Sequence, residues 1–317
     1  MAALAMAVFA SCSNEDELSQ SNYPADNVVR IMASMDGMDT RASYGSSTAK
    51  LSSFGFCINN ANSTTYTYDN VKVTKDGDNN WNPASQMLWQ NSTAAVDILA
   101  YAPYQEGNAG IFEKSDYAFS VQADQSNVED YSSDLIVYKQ TGFKPELDLN
   151  INQAVDVSFT HLLSQLNLTI ELRDQFNQDE KNPVTAGFVT DVKVNGTIIS
   201  SKVDFAAASI GVQVDGTQEA TAITPETTEF KAAGKTTDHA AFNYSAIVIP
   251  QTVTTGNFSI SFKVDGSDYI WTATSDVNFV SGMKHELHLL VGKDVVQGGT
   301  ISATPWGDGG TGSLETD

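Results

Sequence analysis

Short segments in which apolar and polar residues alternate with a period of two run along most of this chain. Examples are residues 71–73, 117–121, 258–264 and 269–271, whose apolar members occupy every second position. Side chains of a β-strand point alternately to the two faces of a sheet, so this period is typical of strands with one buried face. Turn residues such as Asp265-Gly266 separate the segments, and long stretches with the period of a helix are missing. The sequence therefore predicts an all-β protein built from sandwiches of antiparallel sheets.

The phase of this alternation changes once near the middle of the chain. Apolar residues take odd positions in residues 155–163 and even positions in residues 166–172. Because strand side chains alternate strictly, both sets face a core only if the chain has a bulge or a bend near Ser164-Gln165. The length of 317 residues also favours two domains, at roughly 100–200 residues per domain. We place the domain boundary just before this change, near residue 154.

The N-terminal residues have the character of an export signal. Residues 1–11 form an apolar stretch that ends in small residues, is too short to span a bilayer, and is typical of the core of a signal peptide. Residues 8–12 resemble a bacterial lipobox, in which the signal peptidase cuts before a cysteine that carries the lipid. The resemblance predicts Cys12 as the lipid anchor, with a basic segment expected upstream of residue 1. The alternative is an exported protein in which Cys12 is unmodified or discarded.

Charge and cysteine content exclude several classes of protein. The chain has 17 Lys and Arg against 39 Asp and Glu, a formal net charge of −22. Nucleic acid is therefore not an expected partner, because phosphate binding needs a concentrated basic surface. Hydrophobic residues make up 41% of the chain, which is enough for a buried core. If Cys12 is lipidated, only Cys57 remains, so no disulfide framework or cysteine zinc site is expected and Cys57 is predicted to be buried.

Residues that could catalyse a reaction or bind a metal are few. His161 occupies an odd-numbered position, as do the apolar residues Val155, Val157 and Phe159 before it, so its side chain should point to the same buried face. This predicts an interior histidine with a hydrogen-bond partner. His285 and His288 are three residues apart, whereas a zinc-binding helix needs them four apart, so opposite faces of a strand are predicted. Residues 76–80 resemble the start of a calcium loop, but Met87 stands where the bidentate Glu should be, which favours a hairpin turn. The sequence therefore predicts no enzyme, no cofactor and no metal site.

Five aromatic residues allow two interpretations. They are Trp81, Trp89, Tyr101, Tyr104 and Trp306. Aromatic rings stack on sugars as well as filling cores, so these residues could form an exposed glycan-binding platform. Tryptophan in a two-domain β protein more often fills a core or a domain interface. We expect the structural role and keep the platform as the alternative.

An ordered set of short motifs runs through the chain and resembles one family. Each motif is weak alone, but their order over essentially the whole chain is specific. The motifs are Cys12 followed by Glu15-Asp16-Glu17, Met38-Asp39-Thr40-Arg41-Ala42-Ser43, Leu51-Ser52-Ser53-Phe54-Gly55-Phe56, Trp81 and Trp89, Val96-Asp97-Ile98-Leu99-Ala100-Tyr101-Ala102-Pro103, Ser133-Asp134-Leu135-Ile136-Val137, Val157-Ser158-Phe159-Thr160-His161-Leu162-Leu163-Ser164-Gln165-Leu166, Ile247-Val248-Ile249-Pro250-Gln251, His285 and Pro305-Trp306. The chain is similar to the fimbrillin (Mfa-like) family of Bacteroidales, the subunits of type V pili. The resemblance implies two transthyretin-like antiparallel β-sandwich domains in tandem.

The resemblance and the sequence pattern together divide the chain into four parts. Residues 1–11 are expected to be the lipoprotein signal peptide, and residues 12–27 an acidic tether. Residues 28–153 are expected to form an N-terminal β-sandwich with a removable first strand. Residues 154–317 are expected to form a C-terminal β-sandwich that includes a candidate donor strand.

The resemblance implies assembly rather than catalysis. Family pilins are exported as outer-membrane lipoproteins and are cut after an arginine by a trypsin-like surface protease, which removes the lipid and the first strand. The vacated groove then accepts an extended strand from the next subunit. Arg41-Ala42 matches the cleavage position, in a polar segment rich in Gly and Ser of the kind that proteases cut. The strand removed would run from about Asn27 to Met35.

The candidate donor strand lies near the C-terminus. It comprises Thr300, Ile301, Ser302 and Ala303, although an ordinary last strand explains the same residues. Expected partners are other fimbrial subunits, the surface protease, the outer membrane before maturation, and a host or glycan ligand. The expected location is the cell surface, and then the fimbria after maturation. The alternative function is a non-polymerising surface lipoprotein that binds glycans, in which Arg41 is an ordinary loop arginine.

Overall fold

Strands dominate the computed structural model, which describes residues 22–35, 50–78, 80–176, 183–234 and 238–306. The one α-helix of these residues is a single turn, Pro145–Asp148, and none of their helices is long and apolar enough to cross a membrane. The strands are β1 Arg30–Met35, β2 Ser53–Asn59, β3 Tyr68–Lys75, β4 Trp81–Pro83, β5 Val96–Ala102, β6 Tyr117–Ser120, β7 Ile136–Phe143, β8 Ala154–His161, β9 Ser164–Leu172, β10 Val189–Asn195, β11 Ser200–Asp204, β12 Gly211–Val214, β13 Glu226–Lys231, β14 Ala240–Val248, β15 Gln251–Val253, β16 Ser259–Val264, β17 Ser267–Thr272, β18 Val277–Phe279, β19 Met283–Val291, β20 Val296–Gly298 and β21 Ser302–Pro305. The all-β prediction is confirmed.

Seven strands form the first unit and close on themselves in the order β1-β4-β3-β2-β5-β7-β8. Neighbouring strands are antiparallel except β1 and β8, which are parallel. Their inward side chains, among them Phe54, Trp81, Val157 and Phe159, form one apolar core that also contains Trp89 from the segment between β4 and β5. Closure depends on β1, because this strand alone joins β8 to β4.

The chain leaves the first unit at the end of β8. The predicted change of phase is confirmed: Val155, Val157 and Phe159 are buried at odd positions, and the apolar residues of β9 are buried at even positions. β8 and β9 belong to different sheets, so a bend between sheets separates the two phases. Residues 154–161 lie in the first unit, and the change of sheet falls between His161 and Ser164 rather than near residue 154. Alternation shows that a segment is a strand but not which sheet it joins.

The second unit is layered around a second core, to which Leu99 and Tyr101 of β5 also contribute. A six-stranded sheet has the order β13-β14-β9-β19-β20, with β21 also paired to β19. Shorter sheets, β10-β16-β17 and β15-β18, supply apolar side chains to the same core as the six-stranded sheet. Ile170, Phe242 and Leu289 of the large sheet share this core with Ile260 and Phe279 of the shorter ones. Two facing layers with a shared interior are the arrangement of a β-sandwich.

The two units interlock. β6, which precedes β7 in the chain, pairs with β11 of the second unit rather than with the barrel. Gln125 inserts its amide against the backbone of Ile247, accepting from the N–H at 2.7 Å and donating to the carbonyl at 2.9 Å. The ammonium of Lys139 donates to the carbonyls of Phe205 at 2.6 Å and Ala207 at 2.7 Å. Backbone pairing and buried side-chain bonds therefore hold the units together.

Two predicted turns are present as hairpins. Asp76 closes the β3–β4 turn by accepting hydrogen bonds from the backbone N–H groups of Asp78 at 2.9 Å and Asn80 at 2.8 Å. Asp265 and Gly266 join β16 to β17 with φ angles of 48° and 77°. Positive φ at both central residues is what a two-residue hairpin of type I′ requires.

Candidate functional site

The candidate functional site is the place of β1 in the barrel. β1 pairs in parallel with β8 over all six of its residues, from Arg30 opposite Ala154 to Met35 opposite Phe159. On its other side it pairs with β4 at a single position, Ile31 opposite Trp81. The predicted first strand, Asn27 to Met35, contains β1, which begins three residues later than predicted. One edge of β1 is thus firmly paired and the other is almost open.

β1 fills an apolar slot with alternate side chains. Val29, Ile31 and Met35 are between 2% and 8% exposed, whereas Arg30 and Met32 face outward. The inward residues join the core of the first unit, opposite Trp81 on β4 and Val155 and Phe159 on β8. Burying three large apolar side chains stabilises the barrel by several kcal/mol, at roughly 1.5–3 kcal/mol for each. The slot would expose aromatic and aliphatic surface if β1 left it.

A groove runs beside β1 on its open edge. It has a volume of about 960 Å³, and residues 28–33 of the chain form one wall. The opposite wall comes from β4 and from the segment after it, including Trp81, Pro83 and Met87. The two walls touch at two places, the Ile31–Trp81 pair and the bridge between Val28 and Leu88. Between these two places the walls separate and leave the groove. The barrel is therefore weakest at the β1–β4 seam.

A short polar segment precedes β1. Asp26 and Arg30 form an ion pair at 2.6 Å on the surface, and hydrogen bonding to Arg30 lowers the pKa of Asp26 to about 2. The side-chain amide of Asn22 donates to the carbonyl of Leu149 at 2.9 Å. The Asp26–Arg30 pair contributes little stability because both partners are solvated. Side-chain burial, rather than these polar contacts, accounts for most of the attachment of β1.

The C-terminal residues lie at the edge of the large sheet. Ser302 and Ala303 belong to β21 and pair with Glu286 and His285 of β19, whereas Thr300 and Ile301 connect β20 to β21. Beyond β21, the ring of Trp306 stacks on His161 with centroids 4.0 Å apart and planes at 3°. Two of the four candidate donor residues, Ser302 and Ala303, are therefore paired within their own chain.

Comparison with known proteins now identifies the family. The family model described as fimbrillin-like matches residues 40–306. The chain belongs to the fimbrillin-like family. No curated protein has a matching sequence.

Solved structures similar to this fimbrillin-like chain share its fold at low identity. A proposed cell adhesion protein of Bacteroides ovatus has a TM-score of 0.63 at 12% identity, over 88% of this chain and 97% of that one. One from Bacteroides uniformis has a TM-score of 0.58 at 19% identity, over 89% and 99% of the two chains. The tip fimbrial protein Mfa3 of Porphyromonas gingivalis, truncated at its C-terminus, has a TM-score of 0.51 at 9% identity, over 88% and 100%. These similarities support the fold.

The predicted maturation residues of this fimbrillin-like chain lie outside the described residues. Cys12 falls before residue 22, and Arg41 and Ala42 fall between Met35, which ends β1, and Lys50. The structure therefore describes the strand that cleavage would remove but not the bond that would be cut. Lipidation and cleavage stay predictions.

Four of the five aromatic residues proposed as a glycan platform fill cores instead. Trp81, Trp89, Tyr101 and Trp306 are each at most 9% exposed, and Tyr104 is half-buried. Trp89 stacks on Phe143 at 5.6 Å inside the first unit, and Tyr101 lies in the core shared with the second. The structural interpretation of these rings is confirmed, and they form no exposed platform.

The histidines follow the sequence prediction. His161 is 6% exposed, and its Nδ1 lies 2.9 Å from Oδ1 of the buried Asp134. His285 and His288 lie on opposite faces of β19, the first buried and the second exposed. In the described part of the chain, no group of three or more His, Cys, Asp or Glu residues could hold a metal ion. Cys57 is buried as predicted, and burial raises the pKa of its thiol to about 12.

Sequence reasoning missed the partners of β1. The sequence pattern identified β1 and β8 as strands but placed β8 in the second domain, and nothing indicated that the two pair in parallel. Parallel partners are joined by long connections, so the local sequence carries no turn signal that links them. The groove beside β1 was missed for the same reason.

Proposed function

We propose that this chain is a structural subunit or accessory component of a cell-surface fimbria. In this proposal it is exported as an outer-membrane lipoprotein through Cys12, is cut after Arg41 by a trypsin-like surface protease, and assembles with other fimbrial subunits by strand exchange. Membership of the fimbrillin-like family supports the fimbrial role. The maturation and exchange steps rest on the resemblance and on the geometry of β1.

The observation that carries the proposal is the asymmetric seating of β1. This strand fills a slot in a closed barrel, yet a single residue pair, Ile31 with Trp81, joins it to β4. A strand removed from such a slot leaves unpaired backbone on β8 as well as exposed apolar side chains. Both features attract another extended strand, which supplies backbone hydrogen bonds and alternate side chains for the pockets.

The position of Arg41 suits the removal of β1. Residues 36–49 connect β1 to the segment that leads into β2, so a cut after Arg41 separates β1 from the rest of the barrel. Arg30 is also basic, but it lies within β1, where backbone pairing with Ala154 protects it from a protease. A single productive cut is expected after Arg41.

The proposed donor, residues 300–303, must leave its own sheet before it can join another. β21 is an edge strand that pairs only with β19 among the described strands, through four residue pairs. An edge strand can detach without breaking a sheet in two, because only one row of hydrogen bonds is lost. Trp306 adds the contact that holds β21 in place.

Mild trypsin digestion of the purified protein tests the proposal. N-terminal sequencing should locate one early cut after Arg41, and gel filtration should then detect oligomers that withstand SDS at low temperature. Arg41→Ala should stay uncut at this site and monomeric. Lys50→Ala is the matched control, since it removes the next basic residue, and it should be cut and assemble normally. A cut chain that retains its first strand and stays monomeric would contradict the proposal.

A further inference from the structure

A second pocket lies in the second unit, far along the chain from β1. Its volume is about 430 Å³, within the range of roughly 300–1,000 Å³ that small-molecule sites occupy. Residues 273–278, which connect β17 to β18, form one side. Residues 298–301, which connect β20 to β21, form another, and His285 of β19 also lines the pocket.

The pocket exists because the C-terminal residues leave β19 and return to it. β20 pairs with the C-terminal end of β19, and β21 pairs with its N-terminal end. Between them the chain keeps one hydrogen bond to β19, from the N–H of Gly299 to the carbonyl of His288 at 3.3 Å. This departing segment forms one wall of the pocket, with Gly298 and Gly299 followed by Thr300 and Ile301.

His285 presents a buried hydrogen-bond donor to this pocket. The residue is 1% exposed, and its Nε2 accepts the backbone N–H of Val280 at 3.1 Å. Burial lowers the pKa of His285, so the ring is neutral near pH 7 and carries its proton on Nδ1. No described residue accepts a hydrogen bond from that nitrogen, which leaves it available to a ligand.

Trp271 supplies an aromatic wall. Its ring is half-buried, whereas Trp81, Trp89 and Trp306 are all buried in cores. A methyl group at Gly298 would overlap Nε1 of Trp271, so the glycine allows the indole to lie against the chain. Among the described residues, none accepts a hydrogen bond from this indole N–H. The pocket therefore combines an aromatic ring with the ring N–H of His285.

The charge of the lining selects against anions. Asp276 is the one charged residue among the lining residues, and no lysine or arginine is among them. Thr255 holds the Asp276 carboxylate with its hydroxyl at 2.7 Å and its N–H at 2.8 Å, which lowers the pKa of that group. The hydroxyls of Thr274, Ser275 and Thr300 add further polar groups. An anionic ligand is therefore disfavoured here, and a neutral ligand with hydroxyl groups suits the polar side chains.

The geometry points to a binding site for one neutral saccharide unit, with Trp271 as the stacking surface and His285 as the buried donor. The flat apolar face of a pyranose ring packs on an indole, and its hydroxyls exchange hydrogen bonds with neutral side chains. Neither contact needs a charged ligand. This site goes beyond fimbrial assembly, because it uses no residue of β1 or of the groove beside it.

The test uses the full uncut chain, so it does not depend on cleavage or strand exchange. The probes are glucose, galactose, mannose, fucose, N-acetylglucosamine and their common disaccharides, with N-acetylneuraminic acid as the anionic comparator. Binding is measured by saturation-transfer NMR and by tryptophan fluorescence, to which Trp271 is the most exposed contributor. At least one neutral sugar should bind at millimolar concentration, and N-acetylneuraminic acid should not.

Two variants assign the binding to this pocket. Trp271→Ala should weaken it at least about tenfold, the effect of losing an aromatic contact of about 1.4 kcal/mol. Ile270→Ala is the matched control, because Ile270 is 63% exposed on the other face of β17, and it should bind as the parent does. Gly298→Ala should also weaken binding, since its methyl group displaces the indole. No binding of any neutral sugar, or equal binding by Trp271→Ala, would overturn the proposal.

Discussion

The contact between Gly55 and Tyr101 is one place where the size of a single residue matters for packing. Gly55 in β2 lies under the ring of Tyr101, whose hydroxyl donates to Oδ1 of Asn70 at 2.7 Å. A Cβ atom at Gly55 would lie 2.3 Å from Cε1 of Tyr101 and 2.8 Å from Oδ1 of Asn70. Tyr101 is fully buried, so its ring has little room to move.

Gly55→Ala should therefore destabilise the protein by about 1–3 kcal/mol, the usual cost of overpacking a core. Urea unfolding followed by circular dichroism measures this loss. Gly211→Ala is the control, since a Cβ at Gly211 meets no atom within 4 Å, and its free energy of unfolding should stay near that of the parent. A parent-like Gly55→Ala would show that Tyr101 can shift at no cost.

The buried pair of His161 and Asp134 is the second residue-scale feature. Both side chains are at most 1% exposed, and the pair lies next to the ring of Trp306. Asp134→Ala should lower the free energy of unfolding by about 3 kcal/mol, because a buried ring N–H loses its acceptor. Asp134→Asn keeps an acceptor oxygen and should recover part of this loss.

Thermal and urea unfolding at neutral pH check that expectation. Asp156→Ala is the charge-matched control: Asp156 is an exposed residue of β8, the strand that ends at His161, and its loss should change stability by less than about 0.5 kcal/mol. Equal effects of Asp134→Ala and Asp156→Ala would contradict a structural role for the pair.

At the scale of elements, Glu171 links three strands of the large sheet. Glu171 lies on β9, and its carboxylate forms a hydrogen bond with His239, which lies beside β14. A second hydrogen bond joins its Oε2 to Nε2 of His288 on β19 at 2.7 Å. Burial raises the pKa of Glu171, but the hydrogen bonds from the two histidines together outweigh it, and the pKa is lowered overall. A lowered pKa means that the ionised form stabilises the fold above pH 4.5 and that this contribution is lost as the pH falls through the folded pKa.

Glu171→Gln should therefore cost stability at pH 6 and cost less at pH 3. The difference between parent and variant should be about 1 kcal/mol or less at pH 6, because the cluster is partly solvated. Urea unfolding of both proteins at pH 6, 4.5 and 3 measures this difference. A difference that grows as the pH falls would contradict the assigned direction.

Trp306 controls the attachment of the last strand. Its buried ring packs on His161, and its backbone N–H donates to the carbonyl of Gly282 at 2.8 Å. Trp306→Ala removes the stack at the end of β21, so amide hydrogen exchange in β21 should become faster by an order of magnitude or more. Thr304→Ala alters an exposed residue of the same strand and should leave exchange unchanged. Unchanged exchange in Trp306→Ala would show that pairing with β19 alone holds β21.

The sequence was sufficient to predict which segments are strands, but not which strands pair with one another. Period-two alternation identified segments such as residues 258–264, and turn chemistry identified the Asp265-Gly266 hairpin, because both signals are local. The parallel pairing of β1 with β8 and the crossing of β6 to β11 join residues far apart in the chain. Such pairings depend on shape and burial in the whole fold, which a single sequence does not display.

For the whole molecule, the net charge of −22 opposes association. Subunits that carry the same charge repel one another at low ionic strength, and salt shortens the range of this repulsion from about 30 Å at 0.01 M to about 8 Å at 0.15 M. Strand exchange draws its free energy from apolar burial and backbone pairing, which salt of this concentration does not weaken. Repulsion between like charges should therefore slow assembly without changing the oligomers that are finally formed.

Assembly of the trypsin-cut protein should accordingly be several-fold faster in 150 mM than in 10 mM sodium chloride. Light scattering after the cut measures the rate, and gel filtration at long times should find the same oligomers at both concentrations. Uncut Arg41→Ala should stay monomeric in both salts, which separates strand exchange from non-specific association. A rate that falls as salt rises would show that attraction between charges, and not the filling of the slot left by β1, brings the subunits together.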